Sequence, residues 1–116
     1  MAQSIKLLVL DIDGTVTDSR HEVTDAARKL VLESQAAGIR VILATGRRYR
    51  DALPVAAALG LCGPLVTASG ALVKVPSNHE TLFRSCFEDD VLAQVLDCII
   101  EFGHEPVLYT DSFNEG

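Results

Sequence analysis

The feature that most constrains this chain is an apolar run that ends in two carboxylates. Ile5-Lys6-Leu7-Leu8-Val9-Leu10 leads directly into Asp11-Ile12-Asp13-Gly14-Thr15. A run so nearly free of polar residues reads as a parallel strand covered on both faces. In open α/β sheets, ligands bind outside the carboxyl ends of such strands. Two aspartates, a glycine turn and a hydroxyl therefore stand where a fold of this kind puts its chemistry. Asp-Gly alone is an ordinary turn signal. Its place at a strand end, and a second motif that agrees with it, argue for a site.

That second motif is Ala44-Thr45-Gly46-Arg47, at the end of another strand, Ile39-Arg40-Val41-Ile42-Leu43. A hydroxyl and a backbone N–H at a strand-to-helix junction suit a phosphate. Glycine lets the backbone approach a ligand closely, and Arg47 can add charge and forked hydrogen bonds. About thirty residues separate the two motifs, the size of a βαβ unit, and such a unit sets both turns side by side at one edge of the sheet.

The paired motifs, Asp11-Ile12-Asp13-Gly14-Thr15 with Thr45-Gly46-Arg47, resemble the first and second motifs of the haloacid dehalogenase (HAD) superfamily. The Thr-Gly-Arg form is similar to the Cof-like phosphatases, which carry an α/β cap inserted after the third core strand. Leu65-Val66-Thr67-Ala68-Ser69-Gly70-Ala71-Leu72 resembles the family's third strand, where an asparagine is common in place of Ser69. The resemblance implies a Rossmann-like α/β core with a parallel sheet, incomplete here, and a β-hairpin leading into the start of the cap. It divides the chain into 1–80, core, and 81–116, the beginning of a cap.

The resemblance also implies roles. Phosphoryl transfer needs a nucleophile, a proton shuttle, neutralised charge and orientation. Asp11 would be the nucleophile, forming an aspartyl-phosphate. Asp13 would be the general acid and base, which requires a carboxyl protonated near neutral pH. Gly14, Thr15, Thr45, Gly46 and Arg47 would bind the phosphate or substrate. Asp11, with the backbone carbonyl of Asp13, would ligate Mg²⁺, a hard cation that takes oxygen ligands. The substrate would be a small phosphorylated metabolite such as a sugar phosphate, and a phosphomutase is a near variant.

Composition narrows the alternatives. Hydrophobic residues make up 48% and charged ones 22%, which argues against disorder. A net charge of −6 disfavours nucleic-acid partners and anionic membrane surfaces. There is no signal-peptide pattern and no apolar run of the roughly 18 residues that span a bilayer, so a cytoplasmic location is expected. Cys62, Cys86 and Cys98 form no CxxC pair and read as reduced, mostly buried thiols.

The rest of the chain alternates helix and strand signals. Val16 to Val23 is polar and irregular, and in the family it forms a flap over the site. Thr24 is an N-cap for a helix to about Ala37, with Ala27, Leu30, Val31 and Ser34 on one face. A second helix, about Arg48 to Leu59, contains Pro54, which predicts a kink or restart. After the strand about Leu65 to Ala68, the runs Ala71–Val75 and Thr81–Phe87 flank a five-residue hairpin loop. Glu88-Asp89-Asp90 opens an amphipathic helix, its acids read as complements to the helix N-terminus. Pro106 to Thr110 reads as one more strand. His21, His79 and His104 read as exposed loop residues, His21 least securely because it sits in the flap.

Two motifs of the family are missing. After Arg50 the only lysine is Lys74, in the hairpin, and no Gly-Asp dipeptide occurs. The expectation is therefore the N-terminal part of a longer enzyme, weak or inactive alone. The first strand, central in the complete fold, would become an edge, and the chain would self-associate through that edge or through the incomplete cap. A non-catalytic module that binds phosphate or a protein partner is the competing reading. A phospho-accepting receiver domain fits poorly, because only Ser69-Gly70 follows the third strand.

Overall fold

The computed structural model describes residues 4–111. Five strands form one sheet in the order β1-β2-β3-β4-β5: β1 (Leu7–Leu10), β2 (Arg40–Ala44), β3 (Leu65–Thr67), β4 (Leu72–Lys74) and β5 (Thr81–Arg84). The first three run parallel, with Leu10 opposite Leu43 and Ala44 opposite Val66. The last two are an antiparallel hairpin added to the edge of β3. Helix α1 (Asp25–Ala36) joins β1 to β2, α2 (Tyr49–Ala58) joins β2 to β3, and α3 (Asp89–Glu101) follows the sheet. The α/β architecture expected from the motifs is the one observed.

The core lies between the parallel strands and helices α1 and α2. Leu43, Leu65, Ala52 and Ile12 are fully buried, with Val31, Ala56 and Leu59 almost so. The Thr24 hydroxyl accepts the Ala27 N–H and caps α1, as the sequence predicts. Arg28 Nε donates to the Ala58 carbonyl at 3.0 Å, tying α1 to the end of α2.

Strand β1 is an edge, and it is covered on one face only. Leu8 and Leu10 pack on the core, whereas Leu7 and Val9 remain 50% and 49% exposed. The continuous apolar run thus overstates the cover this chain provides.

Other readings are corrected. Leu30, expected on the buried face of α1, is exposed, and Val31 carries the packing. Helix α2 neither stops nor restarts at Pro54. Pro54 stands in the second turn, and the carbonyl that loses its donor belongs to exposed Arg50, where water can serve it. Residues 106–110 form no strand. Side chains tie the segment down: Asp111 accepts from Lys74 Nζ at 2.8 Å, and Arg48 lies over the Tyr109 ring. The three cysteines are exposed and unpaired; Cys62 points outward between the buried Leu61 and Leu65, while Cys86 and Cys98 lie in segments with no buried residue. His79 is half-buried, its Nδ1 2.8 Å from the Tyr49 hydroxyl. No helix among the described residues is long and apolar enough to cross a membrane.

Candidate functional site

The site begins where β1 ends. Asp11 and Asp13 are extended (φ −73° and −69°) on either side of Ile12. Ile12 is fully buried, so it anchors the segment in the core while both aspartates face outward and are exposed. Gly14 then takes φ +73°, a left-handed turn that favours glycine. The turn closes when the Thr17 N–H and hydroxyl both donate to the Ile12 carbonyl, at 3.3 and 3.1 Å. Asp11 Oδ1 accepts the Ile12 N–H at 2.8 Å, which leaves its other oxygen free to face a ligand. Thr15 is exposed.

The neighbouring strand supplies the other half. Because β1 and β2 are parallel and in register, Asp11 and Thr45 leave adjacent strands at the same edge of the sheet. Thr45 is buried. Its N–H donates to the Val66 carbonyl, and its hydroxyl oxygen accepts the Arg47 N–H at 3.1 Å, leaving the hydroxyl proton available. Among the described residues the Gly46 N–H has no partner.

Arg47 bridges the two motifs. Its Nε and Nη2 grip the Asp13 carboxylate at 3.0 and 2.5 Å, a forked pair of charge-assisted bonds. His21 Nδ1 stands 3.4 Å from the same carboxylate. The Arg47 hydrogen bonds, aided by His21, hold the Asp13 carboxyl below the usual carboxylate range. The sequence reading needs the opposite, a carboxyl that keeps its proton. In this arrangement Asp13 is an ionised partner of Arg47.

His21 arrives on the turn between Thr17 and Val23. Thr17 and Val23 pair as an isolated antiparallel bridge, and Asp18 Oδ1 accepts the N–H groups of Arg20 and Glu22. This tight turn places His21, itself at φ +62°, over Asp13. Sequence reasoning left His21 among exposed loop residues; its position in the flap was the available signal.

Ser69 is the second addition. It follows β3, so the strand-end logic that selects Asp11 and Thr45 applies to it as well. The Ser69 N–H donates to the Thr45 carbonyl at 3.1 Å, and the Ala68 N–H donates to the Arg47 carbonyl at 2.8 Å.

The described residues contain no cluster of three or more His, Cys, Asp or Glu that would hold a metal. Asp11 and the Asp13 carbonyl are oxygen donors of the type Mg²⁺ takes, though two donors fill only part of its roughly six-fold shell.

Comparison with known proteins agrees with the geometry. The model of the haloacid dehalogenase-like hydrolases matches residues 8–114. Putative phosphatase YxeH of Bacillus subtilis is 32% identical over 116 residues, covering 94% of this chain and 41% of that protein. Phosphoglycolate phosphatase of Metallosphaera sedula is 41% identical over 71 residues, covering 60% and 32%. The crystal structure of a haloacid dehalogenase-like hydrolase from Bacteroides thetaiotaomicron superposes with a TM-score of 0.72 at 28% identity, over 84% of this chain and 38% of that one. The chain thus spans well under half the length of these relatives. With paired motifs at adjacent strand ends and a family match over nearly its whole length, the chain belongs to the haloacid dehalogenase-like hydrolases.

Proposed function

We propose that the protein to which this sequence belongs is a Mg²⁺-dependent, cytoplasmic phosphatase of small phosphorylated metabolites. The observation that carries the reading is the meeting of Asp11 and the Thr45-Gly46 turn at one sheet edge, with the Gly46 N–H free among the described residues. The phosphatase names of its relatives support the same class.

In this reading the free oxygen of Asp11 attacks phosphorus, and the bond from phosphorus to the ester oxygen breaks. The leaving oxygen takes a proton from Asp13. Asp13, now a carboxylate, accepts a proton from the water that attacks the aspartyl-phosphate. Inorganic phosphate leaves and the Asp11 carboxylate is restored. The Thr45 hydroxyl and Gly46 N–H hold phosphoryl oxygens, with Gly14 and Thr15 shaping the turn beside them. Mg²⁺, held by Asp11 and the Asp13 carbonyl, would neutralise phosphate charge. Arg47 must release Asp13 before Asp13 can carry a proton, and a phosphate dianion competes for the same guanidinium fork.

One observation favours a second reading, a phosphate-binding module with little turnover. Lys74, the one lysine after Arg50, is buried and committed to Asp111, so it is not available to neutralise the Asp11–phosphate pair. We also carry forward the division at residue 80, although β5 belongs to the same sheet as β1, and self-association through the β1 edge, which light scattering would detect.

The test is Mg²⁺-dependent hydrolysis of p-nitrophenyl phosphate beside Asp11→Asn. Turnover abolished by the substitution supports the enzyme. Equal rates in both proteins, with phosphate still bound, favour the binding module.

A further inference from the structure

The turn after β3 is conformationally costly and touches the phosphate loop at three points. Ala68 and Ser69 both have positive φ, 49° and 55°. Two consecutive non-glycine residues in the left-handed region persist only where their surroundings over-determine them. Here the surroundings are the Thr45-Gly46-Arg47 loop. The carbonyls on both sides of Gly46 accept N–H groups from this turn, Thr45 from Ser69 and Arg47 from Ala68. Between those bonds, the Ser69 hydroxyl oxygen lies 3.3 Å from the point where a Cβ on Gly46 would stand. That approach is tighter than ordinary van der Waals contact. The Thr67 hydroxyl closes the turn by donating to the Leu72 carbonyl at 2.9 Å.

We propose that Ser69 is a positioning residue of the phosphate site. Its hydroxyl crowds the position at which a side chain at residue 46 would begin and so helps to hold the Gly46 amide toward the ligand. The glycine is then favoured by a protein neighbour as well as by the close approach of a phosphate that the sequence suggests. The inference rests on the phosphate-binding role proposed for Thr45 and Gly46.

The test is a cycle of Gly46→Ala, Ser69→Ala and the double variant in this chain. Affinity for inorganic phosphate is read from the residue 46 amide resonance, and unfolding midpoints are measured without phosphate. Gly46→Ala is expected to weaken phosphate binding about tenfold or more with Ser69 present, and less than about threefold in the Ser69→Ala background. Equal penalties in both backgrounds would overturn the proposal.

If phosphate moves no resonance of the unsubstituted chain, the phosphate reading itself fails. The contact is then judged by the midpoints: Gly46→Ala should lower the midpoint with Ser69 present and by at most about half as much without its hydroxyl, and equal drops reject it. Should Gly46→Ala not fold, hydrogen exchange at the Gly46 amide decides. Ser69→Ala should speed it by about threefold or more, and an unchanged rate rejects the proposal.

Discussion

The stretch from Ile12 to Leu65 and the stretch after Thr67 carry similar apolar patterns and end in different states. Among the described residues, every fully packed apolar one lies in the first. After Thr67, the one buried residue among those described is Lys74. The contrast is sharpest between two helices. On α2, Tyr49, Ala52, Val55 and Ala56 are buried. On α3, Leu92, Val95, Leu96 and Ile99 repeat at helical spacing yet are only half-buried, while Val91 and Ile100 are exposed. A stripe at period 3.6 states which face wants a partner. Whether one exists is a separate fact, and this chain supplies it for α2 alone. Most of the site lies at the rim of the packed stretch, where buried Ile12 and Thr45 anchor its two loops.

The comparison can be broken first in the core. Leu43→Ala should cost about 2–5 kcal/mol, because a fully buried leucine leaves a cavity. Ile100→Ala on α3 should change stability by about 0.5 kcal/mol or less. Denaturant midpoints of the two variants check both, and comparable losses would mean that α3 is packed in solution.

Acid sharpens it. Partial burial pushes the Asp111 carboxyl up, but hydrogen bonds from Lys74 and Thr81, with the charges of Lys74 and Arg84, outweigh it and bring it below its ordinary value of 3.8. A carboxyl whose pKa is depressed in the folded state stabilises fully above its unfolded pKa and loses that contribution as pH falls through the folded one. Residues 104–111 should therefore detach below about pH 4, while the Ile12–Leu65 core persists. Amide exchange against pH would show two separate steps, and Asp111→Asn should remove the first. A single cooperative transition at all sites would contradict this.

Smaller effects test the loops. Ala68→Gly should stabilise the chain by about 0.4–1 kcal/mol, because glycine adopts φ +49° without strain. A loss of stability would mean that the methyl group is held by packing. Arg20→Ala removes an ion pair to Asp18 in which the arginine is 75% exposed. A midpoint change equivalent to about 0.5 kcal/mol or less is expected.

The site was readable to the degree that it depends on sequence position. Asp11, Asp13, Thr45 and Gly46 are found from two strand ends and the length of one βαβ unit. His21 and Ser69 are not, because each reaches the site across the fold: His21 through the 17–23 turn, Ser69 through hydrogen bonds from the end of β3. The ion pair of Asp13 was hidden for the same reason, since its partner is an arginine 34 positions away. The strand read at 106–110 was misjudged because strand propensity carries no information about a free neighbouring edge.

By itself the sequence determined the order of elements, the parallel pairing of the first strands and the motifs at their ends. These follow from local periodicity, glycine and proline punctuation and the size of a crossover. Only the tertiary structure decided which apolar faces are covered, which cation holds Asp13 and which side chain stands close to Gly46. Each of these is a contact between segments far apart in the chain, and its energy depends on distances that no local pattern specifies.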